Sequence, residues 1–253
     1  MISIILHGAC GHMGRVVNDM VNADPDVQIV AGVDAFGEPY ADFPVYKHIG
    51  ECTEPADVIV DFSTAAAVSE LLAYGVERNI PMVVCTTGLS EEQTAALREA
   101  SGQVAILRSG NMSLGINLLM KLVKEAAKVL SPAGYDAEII EEHHRRKLDA
   151  PSGTAEMLAD SIREGASGEK TNIYGRHDRR APRDPQEIGI SSVRGGTIVG
   201  VHDVLFAGED EVIELKHTAY SRAIFAKGAL AAAKFLAQKG PGLFDMSDVI
   251  GGA

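Results

Sequence analysis

A near-continuous apolar run, Ile2 to Leu6, opens the chain and is followed at once by Gly8-Ala9-Cys10-Gly11-His12-Met13-Gly14. Continuous rather than alternating hydrophobicity suits a strand buried on both faces, the habit of parallel sheets. The glycines allow a tight turn, and Arg15 to Asn22 then reads as a helix with Val16, Val17, Met20 and Val21 along one side. Strand, glycine turn and helix in immediate succession is the opening unit of a doubly wound α/β sheet.

The rest of the N-terminal half repeats that rhythm. Strands are expected at Val27 to Val33, Asp57 to Phe62, Pro81 to Cys85 and Val104 to Leu107, and helices at Ala65 to Arg78 and after Ser90. Ser90-Glu91-Glu92-Gln93 has capping-box spacing. The texture changes near residue 114. Leu114 to Leu130 and Gly153 to Gly165 read as helices, Ala137 to Glu142 as a strand, and Ala166 to Glu187 as one long loop. Strands follow at Ile188 to Arg194, Thr197 to Phe206 and Glu211 to Ala219. Gly195-Gly196 and Gly208-Glu209-Asp210 read as hairpin turns between them. Ala223 to Lys239 is an alanine-rich helix suited to packing back on the first half. The expected architecture is an N-terminal Rossmann-type doubly wound parallel sheet, residues 1–113 with 223–253, plus a smaller α+β domain, 114–222.

Gly8 to Gly14 lie where a backbone can approach a pyrophosphate at a helix N-terminus. Asp34 ends the second strand about 20 residues beyond the last glycine, placed for ribose hydroxyls. Gly8, Ala9, Cys10, Gly11, His12, Met13, Gly14 and Asp34 are therefore candidate contacts for a dinucleotide. So are two turns at later strand ends, Cys85-Thr86-Thr87 and Ser109-Gly110-Asn111-Met112, because open α/β sheets bind ligands there. Asp34 is followed by Ala35, where an arginine would meet a 2′-phosphate, so NADH is expected to serve at least as well as NADPH. Lys47 is a cation within reach in sequence that could compensate.

With 253 residues and 46% hydrophobic content, the chain can bury a core, and its net charge of −12 makes a nucleic-acid partner a poor fit. No stretch has the apolar length of a membrane span, and the start lacks the basic region of a signal peptide. Cys10, Cys52 and Cys85 form neither a disulfide framework nor a zinc set, which suits the cytoplasm. His202 and His217 beside the 143–144 pair have no metal-ligand spacing, so no metal is expected. Arg176, Arg179, Arg180 and Arg183 read as a solvated loop.

Against that acidic background, His143-His144-Arg145-Arg146-Lys147 concentrates cationic side chains at the end of an apolar strand. It runs on through Pro151-Ser152-Gly153-Thr154 into a helix. A basic cluster facing free helix N–H groups makes an anion pocket, and histidine adds a group that titrates near neutrality.

These residues resemble the 4-hydroxy-tetrahydrodipicolinate reductase (dihydrodipicolinate reductase) family of lysine and diaminopimelate biosynthesis. His143 to Thr154 looks like its signature. Asp61-Phe62-Ser63, Thr86-Thr87-Gly88, Gly110 to Ser113, Ser192 to Gly196, His217, Ser221-Arg222 and Gly242 to Met246 also fit. The resemblance implies hydride transfer from a reduced nicotinamide to a cyclic imine dicarboxylate, and a homotetramer formed through the second domain. It implies His143 and Lys147 as the proton-handling pair and His144, Gly153 and Thr154 as substrate contacts. Three departures stand out: no arginine after the strand-two acid, Thr64 where many members carry arginine, and Cys85 where glycine is usual. An aspartate or homoserine dehydrogenase on the same plan, or a non-enzymatic NAD(H)-sensing protein, are the competing readings.

Overall fold

The computed structural model describes residues 1–177 and 179–251. In chain order the elements begin with β1 (Ile2–His7), α1 (His12–Val21), β2 (Val27–Val33), β3 (Val45–Tyr46) and β4 (Val58–Asp61). Next come α2 (Val68–Arg78), β5 (Met82–Val84), α3 (Glu91–Ser101), β6 (Ala105–Arg108) and α4 (Leu114–Leu130). Then follow β7 (Asp136–His143), α5 (Gly153–Gly165), β8 (Thr171–Tyr174), β9 (Glu187–Arg194), β10 (Gly200–Ala207) and β11 (Val212–Ala219). The chain closes with α6 (Ala223–Leu236), β12 (Gly242–Phe244) and α7 (Met246–Gly251). Two compact units result: Met1–Leu114 together with the chain from Ala223 onward, and Gly115–Arg222.

The first unit carries a seven-stranded parallel sheet in the order β12-β6-β5-β4-β1-β2-β3. Its strands are apolar on both faces because each face meets a core. Ile4, Leu6, Val58, Val60 and Leu107 pack with α1 and α6, while Ile5, Ile59, Met82, Val84 and Ile106 pack with α2 and α3. α6 returns to this unit as the alanine-rich sequence suggests. Gly228 sits so close to Met112 that a methyl there would lie 1.7 Å from the Met112 carbonyl oxygen. The Ser90 cap forms as a reciprocal capping box with Gln93.

The second unit holds a five-stranded mixed sheet in the order β11-β10-β7-β9-β8. One face, with Ala137, Ile139, Ile188, Ile190, Val204 and Phe206, is buried under α5 and the part of α4 that belongs to this unit.

Four expectations need correction. α1 begins at His12, not Arg15, because Gly11 takes the N-cap and its successors enter the helix directly. The long loop 166–187 contains β8, which adds in parallel to β9. Gly195-Gly196 is not a hairpin turn: β9 and β10 both flank β7, one parallel and one antiparallel, so these glycines carry a crossover. Their backbone instead closes on the end of β7, Gly195 N–H to the His143 carbonyl and the Gly196 carbonyl to Arg145 N–H. Gly208 to Asp210 does connect an antiparallel pair. Finally, the arginines do not form a solvated loop. Arg183 bonds Glu138, Asp136 and the carbonyls of Ala137 and Glu187, and Arg176 and Arg179 pair with Glu187.

Phe206 is the bulkiest fully buried side chain of the second core. Phe206→Ala should lower stability by about 3–5 kcal/mol, read as a drop in the denaturant midpoint of the transition that includes this unit.

Candidate active site

In the first unit, the candidate cofactor residues gather at the carboxyl ends of β1, β2, β5 and β6. Gly8 has φ +79°, and a methyl there would lie 2.6 Å from the Phe62 carbonyl oxygen; at Gly14 it would lie 2.3 Å from the Gly8 carbonyl. The turn therefore requires glycine at both places for conformation and space. Its own N–H groups hold it together. Gly8 and Ala9 donate to the Val33 carbonyl, Gly11 donates to Gly8, and Cys10 donates to the Asp34 carboxylate at 2.9 Å. What remains for an anion is the first turn of α1, where His12, Met13 and Gly14 have no intrahelical acceptor. Gly11 supplies no side-chain cap, and no acid lies in that turn. A Cβ-free, uncapped helix N-terminus fits the pyrophosphate of a dinucleotide.

Asp34 also accepts from Phe36 and Gly37 N–H at 3.1 and 2.8 Å. Burial opposes its ionisation, but the Gly37, Phe36 and Cys10 N–H groups outweigh that and hold its pKa below the usual carboxylate value. The nearest cations are already engaged. Lys47 Nζ donates to the Gly37 carbonyl at 2.8 Å, and the Arg15 guanidinium lies 4.2 Å from the Tyr40 ring centre.

The later turns behave less uniformly. Thr86 is buried, and its hydroxyl donates to Asp61 at 2.6 Å; Cys85 N–H donates to the Asp61 carbonyl. Met112 is a core residue, and Asn111 Oδ1 accepts from Ser113 N–H. Thr87 and Gly110 are exposed and Ser109 half-buried. Asp61 itself has no exposed surface and sits 3.0 Å from His7 Nδ1.

The second unit gathers a tighter constellation. Residues two apart on a strand share a face, so Glu141 and His143 of β7 point the same way, toward the N-terminus of α5. Glu141 is completely buried. Its carboxylate accepts from His143 Nδ1 at 2.6 Å, from Arg194 Nη1 and Nη2 at 2.8 and 2.7 Å, and from Ser152 N–H at 3.1 Å. Burial pushes against ionisation, but Arg194 first, then the Ser192 hydroxyl and His143, bring its pKa down to about 2. His143 is itself lowered, by burial first and by the Lys147 and Arg194 charges, with Glu141 opposing.

Ser152 caps α5, accepting from Ala155 N–H, and its hydroxyl lies 3.0 Å from His202 Nε2. His202 stands edge-on to His143 with ring centres 5.2 Å apart; burial and that neighbour push its pKa down to about 4. Lys147 pairs with Asp149 at 2.9 Å. Nδ1 of His144 lies buried with no partner among the described residues. A methyl at Gly153 would meet nothing within 4 Å, so the start of α5 faces open space. Arg145 and Arg146 are exposed, which narrows the basic cluster to its histidines and Lys147. No group of side chains suited to a metal occurs among the described residues.

Thus His143, Lys147, His144, Gly153 and Thr154 all fall on one strand end, its following turn and one helix start. Sequence reasoning missed Glu141, Arg194, Ser152 and His202 as parts of this network. Glu141 was findable from its i, i+2 relation to His143, and Ser152 as the residue before a helix start. Nothing local to Arg194 or His202 announced their partners across the sheet.

Comparison with known proteins agrees with this geometry. The family profile described as "Dihydrodipicolinate reductase, N-terminus" matches residues 2–112, and the one described as "Dihydrodipicolinate reductase, C-terminus" matches residues 115–250. The chain belongs to the dihydrodipicolinate reductase family. A 4-hydroxy-tetrahydrodipicolinate reductase from Caldanaerobacter subterraneus subsp. tengcongensis is 52% identical over 99% of this chain and 98% of its own length. One from Clostridium novyi is 45% identical over the same shares. Among solved structures, a dipicolinate-bound dihydrodipicolinate reductase from Paenisporosarcina sp. TG-14 is similar with TM-score 0.82 and 26% identity, covering 97% of both chains. A C. glutamicum DAP dehydrogenase in complex with DAP, 15% identical with TM-score 0.56 over 98% of this chain and 93% of its own, shares the fold.

Glu141 gives this family member a signature in acid. A carboxyl whose folded pKa is depressed stabilises the fold fully above its unfolded value of about 4.3 and loses that contribution as pH falls toward the folded value. Denaturant midpoints measured from pH 6 down to pH 2 should therefore fall more steeply for the wild type than for Glu141→Gln below about pH 4.5.

Proposed function

We propose that the protein is a 4-hydroxy-tetrahydrodipicolinate reductase that uses NADH or NADPH to reduce a cyclic imine dicarboxylate to tetrahydrodipicolinate in lysine and diaminopimelate biosynthesis. The observation that carries this reading is His143, oriented by a buried carboxylate, beside Lys147 and the open N-terminus of α5. In it, the first unit is the dinucleotide-binding domain and the second the substrate-binding and oligomerisation domain.

The first turn of α1 holds the pyrophosphate, and Asp34 the adenosine ribose. Backbone groups of Cys85, Thr86, Thr87 and Ser109 to Met112 border the nicotinamide end. When bound, the reduced nicotinamide supplies the hydride that the imine carbon receives. His144, Lys147 and the N–H groups of Gly153 and Thr154 hold the carboxylates, where charge-assisted hydrogen bonds in a partly desolvated site are strongest. His143 and Lys147 deliver the proton that the ring nitrogen needs. The open face of the second sheet, where Val193, Val212 and Lys216 are exposed, is the surface through which a homotetramer forms. The cysteines are unpaired, as in a cytoplasmic enzyme. No helix among the described residues is long and apolar enough to cross a membrane.

A coupled assay with the fresh condensation product of pyruvate and aspartate semialdehyde, following NADH absorbance, tests the activity; no turnover with either nicotinamide would overturn it. Because Asp34 is anionic and Ala35 offers no cation to a 2′-phosphate, kcat/KM with NADH should at least equal that with NADPH. A preference for NADPH of about tenfold or more, about 1.4 kcal/mol, would contradict this, and Ala35→Arg should move the ratio toward NADPH.

His143→Gln should lower kcat by roughly 10²- to 10⁴-fold. Lys147→Ala should lower kcat on a similar scale and also raise KM for the imine. Neither should change the NADH dissociation constant measured by fluorescence titration. Near-normal turnover in both, with weaker NADH binding alone, would remove this cluster from the chemistry.

A further inference from the structure

The Glu141 carboxylate has no exposed surface and four donors: two from Arg194, one from Ser152 N–H and one from His143. It cannot reach a ligand. Arg194 is equally committed, since its guanidinium also donates to the carbonyls of Val193 and Asp149 at 2.7 and 2.6 Å. A guanidinium anchored at four points is not available to clamp a substrate carboxylate, although its charge and position invite that assignment.

We infer that Glu141, locked by Arg194 and the α5 N-cap, is a positioning residue that fixes His143 as the Nδ1–H tautomer and leaves Nε2 as the nitrogen that exchanges protons with substrate. A carboxylate only accepts hydrogen bonds, so at 2.6 Å the shared proton resides on Nδ1 in the neutral ring. The opposite edge of the ring is kept clear by Gly200: a methyl there would lie 3.2 Å from Nε2. Gly200 has no positive φ, so the glycine serves space there rather than conformation. The charged and titratable groups around the ring are Glu141 on its own strand, Arg194 on β9, Lys147 in the following turn and His202 on β10. Burial keeps His202 neutral near pH 7, so Glu141 is the only one of them that favours a protonated His143.

This inference rests on reading His143 as the acid–base group, and the experiment separates the two. Nitrogen–proton correlation spectra of the full-length, unliganded protein, with His143 assigned by comparison with His143→Gln, report the tautomer directly. The wild type should show Nδ1 protonated and Nε2 bare above the titration midpoint; a protonated Nε2 would overturn the inference without any variant. In Glu141→Gln, whose amide both donates and accepts, the ring should become a tautomer mixture and its midpoint should fall. The low-pH limb of kcat should move with it. The same variant should lower kcat by roughly 10- to 100-fold, the weight of a lost orienting partner, with the NADH dissociation constant unchanged. An unchanged tautomer and unchanged midpoint in Glu141→Gln would overturn the positioning role. Should that variant fail to fold, Arg194→Lys, which loosens the clamp and keeps the carboxylate, should shift the same midpoint; no shift would count equally against the inference. If His143→Gln kept normal turnover while the wild-type tautomer were as expected, the proton-exchange role of Nε2 would fall and the geometry would stand.

Discussion

A carboxylate buried without exposed surface is the constraint around which the second unit is built. Moving an ion out of water costs several kcal/mol even after relaxation, so the site exists only if every oxygen lone pair is answered. The parallel register of β7 and β9 places Glu141 opposite Ser192 and His143 opposite Arg194. The guanidinium therefore reaches back diagonally along the ladder to the carboxylate. α5 must start where it does, because the Ser152 N–H is the fourth donor. Strand register, helix start and the orientation of His143 are thus consequences of one desolvated charge. Removing any one partner leaves the others uncompensated, which is costlier than never having built the pair.

The first unit solves a related problem with backbone instead of guanidinium. Parallel strands all end at one edge, and each ending carries a turn whose N–H groups need acceptors. Asp34 and Asp61 supply them. Asp34 ties the glycine turn to the loop after β2, and Asp61 ties His7, Ser63 and Thr86 across β1, β4 and β5. Both carboxyls are held below their ordinary pKa by these donors, despite burial. The turn's own N–H groups are consumed in shaping it, which leaves the first turn of α1 as the part that can meet an anion. The glycines thus act mainly by allowing the close approach, and the helix end does the binding.

Much of this was legible in the sequence where the signal was local. The β2 strand and the helices α4 and α5 fall on the expected residues, because a continuous apolar run or a clear amphipathic period sets their bounds. The Ser90 capping box formed because its two partners are three residues apart. What failed was non-local. Gly195-Gly196 carries every mark of a hairpin, yet β7 occupies the place between the strands it joins. β8 is four residues with no fully buried position, too weak a pattern to stand out in a polar stretch. Glu141 looked like one more charge in a run of charges, since nothing in its neighbours reveals that Arg194 lies across the ladder.

The arginines of the 176–183 segment follow from the same strand that carries the chemistry. Alternation along β7 puts Glu141 and His143 on the helix-covered face and Glu138 on the other. Glu138 reaches across β9 to Arg176 and Arg183, which it can do only because position 189 is glycine: a methyl there would lie 1.7 Å from its carboxylate. Glu187 at the start of β9 takes Arg176 and Arg179. Exposed ion pairs taken singly contribute little. Here, however, Arg183 also answers two backbone carbonyls, Ala137 and Glu187, so the network closes the backbone at that edge of the sheet as well as pairing charge. It pins the β7 and β9 ends opposite to those that hold His143 and Arg194. A strand held at one end by Glu138 and at the other by Glu141 has little freedom to slip, and a one-residue slip would turn His143 to the wrong face.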